Sequence, residues 1–207
     1  MGGEAAVRID PRYGPFAAAR DKGEEALAAL GELLKGEGDG FALLETEEWP
    51  APPGARVAGT LLLQQMVAHD PAPLEERDRQ AVLLGESDVE EMRNLVAATE
   101  PGPWAELSHR FGPFYGMRQG GLLKAMARER MRPAPGYTEV SGVCTWPAWQ
   151  GQGLAASLIR RVMTDFTARG DVPFLHCLAD NEKAIALYRR LGFAPSRQLV
   201  VTMMAKA

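Results

Sequence analysis

The feature that most constrains this chain is the passage from a strand to a helix across residues 150–156. Residues 137–145 alternate polar and apolar side chains and include Thr138, Val140, Val143 and Thr145, as a strand would. Trp146, Pro147, Ala148 and Trp149 then turn the chain. From Leu154 the apolar residues Leu158, Ile159, Val162, Met163 and Phe166 recur at helical spacing. Between strand and helix lie Gln150, Gly151, Gln152, Gly153, Leu154, Ala155 and Ala156. A helix that begins this way presents unpaired backbone N–H groups and the positive end of its dipole. Gly151, Gly153 and Ala155 are small enough for a ligand's oxygens to come close. The pattern is that of a pyrophosphate site.

A second block follows in order. A helix ending at Arg169 and Gly170 gives way to an apolar strand over 172–178, then to Asn181, Ala184, Ile185, Leu187, Tyr188, Leu191, Gly192 and Phe193. Gln150, Gly153 and Ala155, preceded by Pro147, resemble the acyl-CoA signature Q/R-x-x-G-x-G/A of the GNAT superfamily of N-acetyltransferases. The block from Asn181 to Phe193 resembles the last sequence block of that superfamily. The resemblance covers roughly residues 80–207 and is narrowest to the glycine N-acyltransferase-like branch. It implies an α/β (α+β) fold with a mixed, mainly antiparallel sheet and a splayed parallel strand pair. It also implies a smaller N-terminal α/β half at 1–78, either a cover or a degenerate companion half, and an acetyltransferase domain at 79–207.

Gly151, Gly153 and Ala156 also fit the dinucleotide fingerprint G-x-G-x-x-A, with Asp171 about twenty residues on. That fingerprint needs its first glycine tight against the strand, whereas 146–150 intervene here. Its ribose-binding acid ends the next strand, whereas Asp171 precedes it. The acyl-CoA reading is preferred.

A chain of 207 residues, 46% of them apolar, can bury a substantial core. It has no apolar run of membrane-helix length, no apolar N-terminal leader and no Ser/Thr at position six for myristoylation. Cys144 and Cys177 lie within expected strands and read as buried thiols in a cytoplasmic protein. The net charge of −4 divides unevenly: residues 1–85 carry 8 Lys/Arg against 15 Asp/Glu, residues 86–207 carry 15 against 12. The basic residues are dispersed, so neither a nucleic-acid nor a membrane partner is expected. A mildly positive C-terminal half suits a polyanion such as CoA. His69, His109 and His176 are far apart, and no metal is expected. A homodimer is left open.

Along the chain, 15–35 reads as a helix closed by Gly36, and 41–45 and 56–67 read as strands, with Gly59 a candidate bulge. Residues 80–84 read as a strand and Ser87 as the N-cap of a helix stopped by Pro101 and Pro103. A short helix is expected over 104–109. Residues 114–118 and 122–131 read as a hairpin across Gln119, Gly120 and Gly121. A last strand is expected at 199–204.

Acyl transfer to an amine needs a held cofactor, a polarised thioester carbonyl, a base for the ammonium and an acid for the thiolate. The resemblance assigns the pantetheine contacts and thioester polarisation to backbone groups of Val143, Cys144 and Thr145. It assigns pyrophosphate binding to Gly151, Gln152, Gly153, Leu154, Ala155 and Ala156, with Gln150 as a hydrogen-bonding residue, and a further CoA contact to Asn181. Asn181 or Asp180 would equally cap the following helix. Tyr188 matches the superfamily tyrosine that reaches the CoA sulfur as general acid; a buried structural tyrosine is the plainer alternative. For the base, Glu139 matches the strand glutamate of histone-type members, with burial expected to raise its pKa. His176 sits where N-terminal acetyltransferases of the superfamily carry a glutamate, and it titrates near neutrality. Each has an ordinary structural reading too. No base-and-orienter constellation appears around either cysteine, and cysteine is commonly a small buried hydrophobe, so direct transfer in a ternary complex is expected over a cysteinyl intermediate. The expected function is transfer of acetyl from acetyl-CoA to a small-molecule amine. Glycine-type N-acylation with longer acyl groups and a non-catalytic CoA-sensing module are the alternatives.

Overall fold

The computed structural model describes residues 2–207. The strands are β1 (Ala6–Arg8), β2 (Ala17–Ala19), β3 (Gly40–Glu45), β4 (Ala55–Val67), β5 (Val82–Leu84), β6 (Phe114–Gln119), β7 (Leu122–Glu129), β8 (Tyr137–Thr145), β9 (Val172–Leu178) and β10 (Ala194–Lys206). The α-helices are α1 (Glu24–Glu32), α2 (Val89–Thr99), α3 (Leu154–Ala168) and α4 (Glu182–Arg190). The fold is mixed α/β, mostly antiparallel, with β8 and β9 as its parallel pair. No helix among the described residues is long and apolar enough to cross a membrane. The chain divides into two compact units: one runs to Gln64 and includes Arg197–Ala207, the other is Gln65–Ser196. Position 78, the boundary expected from the sequence, lies inside the second, with Asp78 bonded to Arg160 of α3.

In the first unit β10 pairs antiparallel with β3 from Val200↔Glu45 to Ala205↔Gly40. Leu30, Leu33, Leu34, Phe41, Leu43, Trp49 and Met204 form its core. The helix expected over 15–35 is corrected here: α1 starts only at Glu24, behind Gly23. Residues 17–19, three alanines with high helix propensity, instead pair with Ala6–Arg8 as a hairpin. Pro15 and Gly23 punctuate this stretch, and tertiary pairing overrides propensity. Gly31 sits where any Cβ would run into the Pro53 carbonyl oxygen, so α1 approaches the segment before β4 as closely as backbone permits.

The second unit has the strand order β9-β8-β7-β6-β5. The β6–β7 hairpin turns through Gly120 and Gly121, both at positive φ (60° and 80°), which explains why glycine occupies both places. The N-cap of α2 is Asp88 rather than Ser87. A short 3-10 turn over Glu86–Asp88 precedes it, and the Asp88 carboxylate accepts the Gly85 N–H. The helix expected over 104–109 is only a 3-10 turn, Ser108–Arg110. The helix α3 packs its face of Leu158, Ile159, Val162, Met163 and Phe166 on Val140 and Leu175 of the central strands. Asp78, wholly buried, ties the turn at 76–80 to α3 through Arg160 Nε (2.6 Å) and Nη2 (2.9 Å). Gly192 follows α4 at φ 93°, with its Cα against the Asp70 carbonyl; a Cβ there would run into that oxygen.

Candidate active site

Two local features shape the middle of the second unit. The parallel pairing of β8 with β9 is confined to Tyr137↔Val172, Thr138↔Pro173 and Glu139↔Phe174. Beyond those residues the two strands part. On its other side β8 stays paired to β7, but Met126↔Cys144 and Arg128↔Ser141 leave one extra residue on β8. That bulge is built at Gly142, whose φ is 58°. It reverses the alternation of the strand. Val140 faces the α3 core, whereas Cys144 joins the cluster formed with Met92, Leu95 and Phe114.

After β8 the chain reaches α3 through Gly151 and Gly153, both at φ 78°. Gly153 is the N-cap, no side chain caps the helix and its first turn holds no acidic residue. The first helical bond runs from Ser157 N–H to Gly153 O (3.0 Å), so the N–H groups of Leu154, Ala155 and Ala156 precede it and are open for an anion. Gln150 reaches back to the Thr145 carbonyl at 3.5 Å. The Arg77 guanidinium, which the sequence did not single out, donates to Gly153 O at 3.1 Å and lies over the Gly153 Cα. It brings a cation to a loop whose residue 150 is uncharged.

Glu139 and His176 come together. His176 Nδ1 lies 2.8 Å from Glu139 Oε1, and Arg130 grips the same carboxylate through Nε (2.7 Å) and Nη2 (2.5 Å). His176 Nε2 is 2.9 Å from the Gln65 side-chain amide nitrogen. With Nδ1–H donating to the carboxylate, Nε2 carries the lone pair and accepts from Gln65. Burial pushes the Glu139 carboxyl up, but the Arg130 charge, the His176 hydrogen bond and the Arg130 hydrogen bonds outweigh it and hold it at about 2. The raised pKa expected for Glu139 is therefore corrected: its burial is more than compensated by ion pairing. Arg130 and Gln65 were not legible as site residues, because they reach the network from elsewhere in the chain, Arg130 from just beyond the end of β7 and Gln65 from β4.

Tyr188 packs edge-on to Phe193, with ring centroids 6.0 Å apart, and its hydroxyl has no hydrogen-bond partner among the described residues. Burial, with a lesser contribution from Cys177, pushes its phenol up to about 12, so it stays protonated at neutral pH. Asn181 caps α4, its Oδ1 accepting the Ala184 N–H at 3.0 Å. Cys144 is buried, and burial pushes its thiol up to about 12; burial likewise raises Cys177. Val143 and Thr145 flank Cys144 on the part of β8 that lies beyond its pairing with β9.

A small pocket, partly open to solvent, lies beside the bulge and is lined by Trp104, Phe114, Arg128, Arg130, Ser141 and Gly142 among others. Arg128 is 4% exposed. Its Nη1 donates to Ser108 O at 2.9 Å, and its guanidinium lies 5.1 Å from the centre of the Phe114 ring and 5.8 Å from that of Phe111. No carboxylate pairs with it among the described residues. Burial and the neighbouring Arg130 charge push it down to about 10, against the pull of Glu139, which still leaves it charged at neutral pH. Arg128 Nε and Trp104 Nε1 are buried without acceptors. Each such donor costs about 1–3 kcal/mol when unsatisfied.

The family model of FR47-like proteins matches residues 114–201. Over its whole length the chain is 50% identical to a solved structure from Novosphingobium aromaticivorans described as an acetyltransferase of the GNAT family, covering 91% of that chain with a TM-score of 0.93. It is 37% identical over 105 residues to N-alpha-acetyltransferase RimI of Mycobacterium tuberculosis, an overlap of 48% of this chain and 65% of that protein. It is 30% identical over 129 residues to an uncharacterized protein of Mycobacterium leprae, 56% of this chain and 35% of that one. The chain thus spans less than two thirds of either curated relative.

Proposed function

We propose that this chain, which belongs to the GNAT superfamily of N-acetyltransferases, transfers an acetyl group from acetyl-CoA to a primary amine by direct attack in a ternary complex. The observation that carries the reading is the part-buried Arg130–Glu139–His176–Gln65 chain where β8 and β9 part, on the strand that leads into the open N-terminal turn of α3.

In this reading the N–H groups of 154–156 hold the pyrophosphate, with Gln150 and Asn181 beside the cofactor. Backbone groups of Val143, Cys144 and Thr145 pair with the pantetheine arm. An N–H freed by the bulge at Gly142 polarises the thioester carbonyl. His176 Nε2 takes the proton from the ammonium after exchanging Gln65 for the amine or a bridging water. Glu139 is a positioning residue: a carboxyl held at about 2 keeps no proton near neutrality, but it fixes the tautomer of His176 and stabilises the imidazolium. The neutral amine nitrogen bonds to the carbonyl carbon, the C–S bond breaks, Tyr188 gives its phenolic proton to the thiolate, and the second N–H proton of the attacking nitrogen passes through water to restore the phenol. A Cys144 thiol at about 12 supports direct transfer over a cysteinyl intermediate.

Two acceptor classes have support. A small amine suits the unpartnered donors of Arg128 and Trp104 in the pocket beside the bulge. A polypeptide N-terminus is favoured by the likeness to N-alpha-acetyltransferase RimI. The two motifs also support a place near the glycine N-acyltransferase-like branch, where longer acyl groups are used. Two cysteines outside any disulfide support a cytoplasmic setting. The test is thiol release from acetyl-CoA, and from acyl-CoAs of increasing chain length, with panels of amino acids, polyamines and peptides. Acetylated product with one class assigns the acceptor; no release above spontaneous hydrolysis with any class contradicts the reading.

A further inference from the structure

The pocket beside the β8 bulge contains an unanswered electrostatic demand. Arg130 is neutralised by Glu139, but Arg128 is buried, charged and met only by the Ser108 carbonyl and two aromatic faces. Its Nε and the indole N–H of Trp104 are two donors without acceptors, on residues that line one pocket. No acidic side chain is among the pocket's lining residues. The fold makes room for this arrangement: a Cβ at Gly142 would lie 3.3 Å from Arg128 Cγ and 3.5 Å from its Nε, so glycine is what lets the side chain lie against β8. Donors without acceptors call for a group that only accepts. One uncompensated guanidinium calls for one negative charge. The walls of Trp104 and Phe114, which meet edge to face at 5.7 Å, suit an apolar stem behind that charge.

We propose that this pocket takes a carboxylate carried by the amine acceptor, bound by Arg128 Nε and Trp104 Nε1. The proposal rests on the acyltransfer reading for placing the amine at His176. The link is Arg130, which lines the pocket and also holds Glu139, the partner of His176. Two sources present this chemistry: the carboxylate of a small amino acid, or an acidic side chain near a peptide's N-terminus. Both are amines with a monoanionic oxygen group a few bonds away.

The test compares matched acids and amides. Glycine, β-alanine and 4-aminobutyrate are assayed against their amides, and peptides with Asp or Glu at the first two positions against their Asn or Gln counterparts. Wild-type protein is expected to favour the acid in one series by at least about tenfold in kcat/KM, mainly through KM, as a charge-assisted hydrogen bond would give. The series showing the preference identifies the source. Arg128→Gln should bring the acid-to-amide ratio close to one, and Trp104→Phe, which keeps the ring and removes the N–H, should lower it severalfold. Thermal unfolding and acetyl-CoA titration of each variant report that it is folded. If Arg128→Gln does not fold, the ratio in Trp104→Phe decides. Equal use of acids and amides by the wild type, or an unchanged ratio in the folded variants, overturns the proposal. If no amine is turned over, the acyltransfer reading fails instead. The pocket is then judged by calorimetric titration with the same acids: binding lost in the variants supports it, and no binding to wild type overturns it.

Discussion

The two ends of the candidate site are built from different materials. The loop at 150–156 offers backbone N–H groups, small residues and no acidic side chain in the first turn of α3. The region around β7 and the first half of β8 offers charged side chains, Arg128 and Glu139 buried and Arg130 half-buried, with His176 reaching in from β9. The first can serve any chain that turns from a strand into a helix with glycines in front. The second depends on which side chains meet across strands. A cofactor-binding end can therefore be written in local sequence, whereas an acceptor end must be assembled from distant positions.

That contrast predicts how substitutions will behave. Replacing side chains at the charged end should damage turnover while sparing acetyl-CoA affinity; at the loop, only changes that block the backbone should matter. The largest kinetic effect is expected at the base. His176→Gln should lower kcat by about 10²–10⁴-fold and remove the acidic limb of the pH–rate profile, while acetyl-CoA affinity stays nearly constant. A variant with wild-type turnover on a verified acceptor excludes His176. Tyr188→Phe should lower kcat towards the smaller end of that range, again without weakening acetyl-CoA binding, since the proton is given only as the C–S bond breaks. If kcat is unchanged while affinity falls, Tyr188 is a contact and not an acid.

Glu139→Gln should act on stability as well as rate. It removes the carboxylate that Arg130 grips in a half-buried setting, at a cost on the order of a few kcal/mol, read as a fall in the unfolding midpoint. The pH dependence carries a defined sign. The folded Glu139 carboxyl is held at about 2, below its ordinary 4.5. Its contribution is therefore fully present above about pH 4.5 and is lost as the pH falls towards 2. The wild type should lose stability through that window, and Glu139→Gln should lose less. Parallel pH profiles would show that the pair does not couple to folding. The smallest effect is expected at the loop's side chains: Gln150→Ala should change acetyl-CoA affinity by no more than about threefold, consistent with one weak, exposed hydrogen bond. A much larger loss would mean that the loop also works through side chains.

The same contrast explains what the sequence disclosed. The glycines at 151 and 153, the apolar face of α3 and the paired glycines of the β6–β7 turn are local signals, and each element forms where they point. The alanines at 17–19 misled because pairing with β1 is non-local. The bulge at Gly142 had a signal, a lone glycine within a β-branched run, whose consequence for strand alternation appears only in register with β7. Arg128 and Arg130 lie at alternate positions of a run that reads as a charged strand end. Nothing local says that one is neutralised by Glu139 and the other buried without a carboxylate. For Asn181 the local alternative, the helix cap, is present in the structure, and a cofactor contact has to be added to it.

The most direct test of the central claim is a calorimetric titration of acetyl-CoA into the wild type and into Gly153→Glu. Gly153 has φ 78°, the Arg77 guanidinium lies over its Cα, and a carboxylate there would occupy the place of an anion. The account predicts one saturable acetyl-CoA site in the wild type, no detectable binding in the variant, no binding of NAD to either, and a variant that still unfolds cooperatively. Equal acetyl-CoA affinity in the two proteins, or binding of NAD in place of acetyl-CoA, would contradict it.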